Sequence, residues 1–298
     1  MPAQRIICIV GPTASGKSAL AVELAKKIDG EVISADSRQV YKGLNIGTGK
    51  ITKKEMRGIR HHLLDVASPA EGFTAHDYAM RARNAIVDIS RRGKIPIICG
   101  GTGFYIDALV GRVVLSHVPA NKALRAKLEK HTVSELFTKL KILDPDRVLT
   151  IGENNKRRII RALEIAASSH SHPPRLNLAR YDILWIGLAP ARDDLRKRIN
   201  TRLKERLRRG MIAEAKRLKA GGLSYKRMEA LGLEYRSLTR HLQGIISREE
   251  LEQELQPAIW QYAKRQMTYW RRNKDIQWFR PHETKAATQL VSKWLKNI

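Results

Sequence analysis

The amino-acid sequence predicts an α/β fold in which a parallel sheet is flanked by helices and interrupted by an all-helical insertion. Three observations predict it. The chain opens on an apolar strand at residues 6–10, a glycine-bounded loop at 11–18 and an amphipathic helix at 19–27. Apolar strand-like runs then alternate with helical patterns as far as Gly103, the order that favours parallel strands with helices on both faces. From about residue 115 the patterns turn helical with no convincing strand, until residues 183–188 return to strand. The expected organisation is a first part of the core at 1–114, a helical insertion at 115–180, and a second, mostly helical part of the core at 181–298.

The opening loop carries the first chemistry. Gly11-Pro12-Thr13-Ala14-Ser15-Gly16-Lys17-Ser18 fits G-x-x-x-x-G-K-[ST], the phosphate-cradling loop of P-loop NTPase-like sheets. Its glycines let backbone N–H groups converge on an anion at a helix N-terminus, where the dipole also favours negative charge. Lys17 adds a mobile positive charge, and the Ser18 hydroxyl is placed to ligate Mg²⁺. A polyphosphate or a diphosphate is therefore the expected ligand of all eight residues.

The next strand, Glu31-Val32-Ile33-Ser34, ends at Asp36. An Asp there either reaches the phosphate ligand or caps a turn, and position alone leaves both open. A weaker third strand is expected at 62–66, a helix at 75–92 with Ala79, Ala82, Ile86 and Ile89 on one face, and a buried strand at 94–99. Gly100-Gly101-Thr102-Gly103 closes that strand. Ligands of such sheets sit beyond the carboxyl ends of the strands, which places the phosphate loop, Asp36 and Thr102 on one rim. His61 and His62 lack companions at ligand spacing and read as structural rather than metal-binding.

In the insertion, helices are expected at 121–130, 133–143 and 155–167, and the last carries Lys156-Arg157-Arg158-Ile159-Ile160-Arg161. Residues 168–180 read as a loop. A very basic helix follows at 192–209, then glycine-punctuated segments, then a long helix at 248–272 broken or bent near Pro257. Trp260, Tyr262, Tyr269 and Trp270 on that helix read as core. A short strand at 276–279 and a terminal helix complete the chain.

Charge is the second large signal. Lys and Arg number 56 against 29 Asp and Glu, a formal net charge of +27. So basic a globular chain points to a polyanionic partner, with nucleic acid first. No apolar run approaches the ~20 residues that span a bilayer, and no signal peptide precedes the first strand. Cys8 and Cys99 lie in apolar strands and read as core thiols, which suits a reducing cytoplasm.

Five blocks in order resemble the tRNA dimethylallyltransferase (tRNA isopentenyltransferase) family. They are the phosphate loop, Asp36-Ser37-Arg38-Gln39-Val40-Tyr41 with its extension to Lys50, Gly100 to Tyr105, Arg158 to Glu164, and Lys264 to Arg271. Together they span almost the whole chain. Gly49 departs from the usual Ala, Leu233 stands where a Gly-Tyr pair is common, and the zinc-finger tail of some eukaryotic members is absent. The resemblance implies transfer of a dimethylallyl group from its diphosphate to N6 of the adenosine beside the anticodon. It implies Asp36 as general base, with Ser18, its Mg²⁺ and Arg202 assisting departure of the diphosphate. By the same resemblance Asp36, Ser37, Arg38, Gln39, Thr102, Arg125, Arg157, Arg158, Ile159, Ile160 and Arg161 contact tRNA. Lys264, Arg265, Gln266, Thr268 and Arg271 in the last block are expected to do so too. The insertion would grip the anticodon stem-loop, and the chain would act as a cytoplasmic monomer.

Three rivals share the phosphate loop: an adenylate isopentenyltransferase acting on a free nucleotide, a small-molecule kinase, and a nucleic-acid-binding ATPase. The first would need neither the basic insertion nor the 264–271 block. The kinase would want a Mg²⁺-holding carboxylate, for which Asp65 is a weak candidate, and it leaves the charge unexplained.

Lys17→Ala is expected to weaken diphosphate binding and slow turnover with the fold intact. Full activity with unchanged binding, measured by titration and a melting curve, would displace the phosphate site from this loop.

Overall fold

The computed structural model describes residues 4–113, 115–116, 118–149, 151–168 and 181–296. The chain divides into two compact units, residues 1–112 with 179–298, and residues 113–178. The first begins with β1 (Gln4–Val10), α1 (Lys17–Lys27), β2 (Gly30–Ser34), α2 (Lys53–Met56), β3 (His61–His62), α3 (Ala75–Arg91), β4 (Ile95–Gly100) and α4 (Gly103–Leu109). The second unit holds α5 (Lys122–Leu128), α6 (Val133–Leu143), α7 (Pro145–Val148) and α8 (Lys156–Ala166). The first unit then resumes with β5 (Tyr181–Leu188), α9 (Arg192–Arg208), α10 (Met211–Ala220), α11 (Tyr225–Ala230) and α12 (Leu233–Leu242). It closes with α13 (Arg248–Trp270), β6 (Gln277–Phe279) and α14 (Thr284–Lys296).

The six strands run in the order β3-β2-β4-β1-β5-β6, and every pairing is parallel. Strands covered on both faces should be apolar throughout, and Ile6 to Val10 are all fully buried. Alternate residues of β1 feed opposite cores. Ile7 and Ile9 pack with Leu20 and Leu24 of α1 and with Val291 of α14. Ile6, Cys8 and Val10 pack with Tyr78 and Ile86 of α3, Ile106 of α4 and Trp270 of α13. A third core joins Val40, Tyr41 and Leu44 to α9–α13. Strand order reverses at β1, with β4 and β2 on one side and β5 and β6 on the other. The crevice beyond its carboxyl end is therefore the expected ligand position.

Two expectations change. The third strand is only His61–His62, paired with Val32 and Ile33, because Leu63 at φ 62° and Asp65 at φ 55° leave the extended conformation. Residues 248–270 form one helix through Pro257, which lies on its exposed side. The loop expected at 168–180 lies outside the described residues apart from Ser168. Both cysteines are buried and unbridged.

In the second unit, α6 and α8 meet through Leu136, Leu140, Ile159 and Leu163. The buried Glu164 accepts from Arg125 Nη2 at 2.7 Å, from Arg161 and from the Asn121 N–H. Asn121, Thr132 and Asn155 cap the three longer helices through their side chains.

In the first unit, Glu31 of β2 is buried and takes a bidentate ion pair from Arg92 and a 2.7 Å contact from His62 Nε2. The Arg92 hydrogen bonds, helped by His62, hold its carboxyl at about 2, against an ordinary 4.5. A depressed carboxyl stabilises the fold above its unfolded value and loses that contribution as pH falls through the folded one. The stability gap between wild type and Glu31→Gln is thus expected to be full above pH 4.5 and to close toward pH 2. Denaturant melts at several pH values read it, and parallel curves would refute it.

Candidate active site

The crevice at the end of β1 is built by the loop Gly11–Gly16, which delivers Lys17 and Ser18 to the first turn of α1. Inside the loop the Ser15 N–H donates to the Pro12 carbonyl at 3.3 Å, and Lys17 Nζ donates to the same oxygen at 2.9 Å. A cavity of about 340 Å³ opens over it, with Lys17, Ser18, Asp36, Arg202, Arg206 and Tyr262 in its wall. Burial lowers the Lys17 pKa from its ordinary value, against the pull of Cys99 and Asp36. Burial and the neighbouring Arg206 lower that of Arg202. These three cations, with Arg38 and Arg265 also in the wall, favour an anionic ligand.

Asp36 serves its turn and faces the cavity. Its Oδ1 accepts from the N–H groups of Arg38 at 2.8 Å and Gln39 at 3.2 Å, so it caps the turn after β2. Those are its hydrogen bonds among the described residues, and they involve one oxygen. The second oxygen stays available to a ligand. Ser37, Arg38 and Gln39 continue the cavity wall. Thr102 Oγ1 accepts from the Ser37 N–H at 3.1 Å, tying the Gly-Gly-Thr segment to the same turn.

The expected RNA-contacting residues divide. Lys264, Arg265 and Thr268 are exposed on α13 and Arg271 is exposed at its C-cap, and Arg265 also reaches the cavity. Gln266 is corrected from the outer face of α13 to the cavity wall, being 5% exposed and used internally. Its Oε1 accepts from the Thr13 N–H at 2.8 Å, and its Nε2 donates to the Gly101 carbonyl at 3.1 Å. That strut ties α13 to the phosphate loop. A side chain at Gly101 would displace the Gln266 amide from these bonds, because a Cβ would lie 2.0 Å from Gln266 Nε2. Ile159 and Ile160, expected at the RNA, are likewise corrected: both are buried in the core of the second unit. Helical spacing explains this, since Arg157, Arg158 and Arg161 sit on the other faces of α8. Arg157 and Arg158 are exposed, whereas Arg125 and Arg161 are paired with Glu164.

Arg206 escaped the sequence reading. It is buried, and its Nη1 donates to the Gly47 carbonyl at 2.8 Å and to Glu234 at 3.1 Å. The available signal was its spacing: four residues after Arg202, it shares that residue's helix face. No cluster of three His, Cys, Asp or Glu side chains that could hold a metal occurs among the described residues. The Ser18 hydroxyl, a hard oxygen in the cavity wall, fits a Mg²⁺ that takes its remaining ligands from diphosphate and water, as that ion commonly does.

A phosphate-loop motif at the switch strand, with Lys17, Arg202, Arg206 and the Asp36 carboxylate lining one cavity, defines an α/β protein of the phosphate-loop type. Residues 39–273 match the family model described as IPP transferase. A tRNA dimethylallyltransferase of Anoxybacillus flavithermus is 40% identical over 283 residues, covering 93% of this chain and 90% of that one. The solved tRNA isopentenylpyrophosphate transferase of Bacillus halodurans superposes with a TM-score of 0.73 at 36% identity, covering 97% of this chain and 96% of that one. A eukaryotic dimethylallyltransferase solved acting on tRNA superposes with a TM-score of 0.84 at 27% identity, over 99% of this chain and 80% of that one. The chain belongs to the IPP transferase family.

Gln266→Ala removes the bond to the loop at Thr13 and the bond to Gly101. It is expected to weaken inorganic pyrophosphate binding by about tenfold, which corresponds to ~1.4 kcal/mol. Calorimetric titration reads the change, and unaltered affinity would reduce Gln266 to a packing residue.

Proposed function

We propose that this chain transfers the dimethylallyl group of dimethylallyl diphosphate to N6 of the adenosine at position 37, beside the tRNA anticodon. The observation that carries the reading is one cavity with Lys17 and Arg202 beside the phosphate loop and Asp36 in the same wall. Relatives named for this reaction, and the eukaryotic neighbour solved acting on tRNA, support it.

The residues divide the chemistry. The N6 lone pair is delocalised into the adenine ring, so the amine is a poor nucleophile. As N6 bonds to C1 of the dimethylallyl group, the C1–O bond breaks and its electron pair leaves with the diphosphate. The second Asp36 oxygen takes the N6 proton. Charge growing on the diphosphate meets the loop amides, Lys17 and Arg202, which are already in position and need little reorganisation. Ser18 would hold Mg²⁺, which when bound supplies further charge neutralisation on the leaving group.

The adenine must leave its stack to enter the cavity, a cost lowered in a single-stranded loop. Exposed Lys264 and Arg265 on α13, Arg271 at its C-cap, and Arg157 and Arg158 on α8 would neutralise RNA phosphates. Ser37, Arg38, Gln39 and Thr102 would meet the unstacked bases. Contacts of this kind position the RNA, while sequence is read on the splayed bases. The second unit would grip the anticodon stem-loop, and the chain would act as a cytoplasmic monomer. No helix among the described residues is long and apolar enough to cross a membrane.

Incubation with radiolabelled dimethylallyl diphosphate tests the reading: label is expected in tRNA, and label in AMP alone, or in neither, would overturn it. In the same assay Asp36→Asn separates base from cap. Asn caps about as well as Asp, so near-wild-type single turnover would leave only the cap. Loss of a general base is expected to lower kcat by roughly 10²–10⁴, with tRNA and diphosphate affinities much less changed.

A further inference from the structure

Residues 45–49 form a turn whose backbone is held by one buried carboxylate from α10. Glu214 is 3% exposed and accepts four hydrogen bonds. Its Oε2 takes the N–H groups of Asn45 at 2.9 Å and Ile46 at 2.7 Å. Its Oε1 takes the Gly47 N–H at 2.8 Å and the Tyr235 hydroxyl at 2.7 Å. The fit is close: a Cβ on Gly47 would lie 2.7 Å from the Tyr235 hydroxyl oxygen.

The carbonyls of the same turn hold the two arginines of the cavity. Gly47 O accepts from Arg206 Nη1 at 2.8 Å, and Gly49 O accepts from Arg202 Nη2 at 2.7 Å. Two guanidinium groups one helical turn apart repel each other, and an arginine swings freely about its flexible stem. The two carbonyls, with Glu234 as a further partner of Arg206, hold both groups at the cavity wall, and those carbonyls are only as fixed as their turn. Glu214 itself is not among the cavity-lining residues.

We propose that Glu214 is a positioning residue for the transfer reaction, clamping residues 45–47 so that the carbonyls of Gly47 and Gly49 set Arg206 and Arg202 against the diphosphate. A carboxylate is required because it only accepts. Glutamine keeps the shape but turns an NH₂ group toward backbone donors, leaving at least one N–H unmatched. The proposal rests on the diphosphate site described under Proposed function.

A double-mutant cycle tests it, read as binding of inorganic pyrophosphate and of tRNA to the full chain. Glu214→Gln is expected to weaken pyrophosphate by about tenfold, the scale of one lost charge-assisted contact. tRNA affinity is expected to stay within about twofold. Adding Arg202→Ala to Glu214→Gln should then cost far less than Arg202→Ala alone, because its contribution is already lost. Additive losses, or pyrophosphate binding unchanged by Glu214→Gln, would overturn the positioning role while leaving the site intact. If Glu214→Gln does not fold, Tyr235→Phe removes a single donor from the clamp, and additivity in its cycle with Arg202→Ala overturns the role equally. Wild-type protein that does not bind pyrophosphate would bring down this inference and the diphosphate site together.

Discussion

Holding Lys17, Arg202 and Arg206 around one sheltered cavity is the constraint on which the rest of the structure depends. Burial and mutual repulsion both work against such a cluster, as the lowered pKa values of Lys17 and Arg202 register. Each cation is therefore moored to a backbone carbonyl: Lys17 to Pro12, Arg202 to Gly49 and Arg206 to Gly47. Those moorings need rigid backbone behind them. The parallel sheet supplies it for the phosphate loop, and Glu214 with Tyr235 supplies it for the turn. An anionic ligand then finds the charges already gathered, so the reorganisation that water would demand has been met during folding.

A second theme is how cations are divided between internal and external work. With a net charge of +27, the chain has far more than the cavity uses. On α8, Arg161 turns inward to Glu164 while Arg157 and Arg158 remain exposed. On α13, Lys264 and Arg265 are exposed beside the buried Gln266, which grips the phosphate loop. One helix thus carries both a phosphate-loop strut and a basic outer face. Each cation's role follows from its helix face and its nearest carboxylate, not from belonging to a basic run.

Much of the fold and part of the site were legible in the sequence. The phosphate loop could be read because its geometry is local: strand, glycine-bounded turn and helix N-terminus occupy consecutive residues. The parallel sheet was legible because buried strands must be apolar throughout, as residues 6–10 and 95–99 are. Asp36 was visible as a residue of interest, but its turn-capping oxygen could be told from its available one only in three dimensions. Ile159, Ile160 and Gln266 were misplaced because a block that matches a family pattern does not say which of its residues face inward.

By itself the sequence determined the α/β class and the phosphate-loop motif at the end of the first strand, and it pointed to a polyanionic partner, since these rest on periodicity, local backbone geometry and net charge. Tertiary structure alone decided which residues complete the cavity. Gln266 meets Thr13 across 253 positions, Glu214 meets Gly47 across 167, and Arg206 meets the Gly47 carbonyl across 159. Nothing in the spacing of such residues marks them as partners. A buried amide or carboxylate gains its role from the unpaired backbone groups that folding brings to it, and those come from segments with no local relation to it.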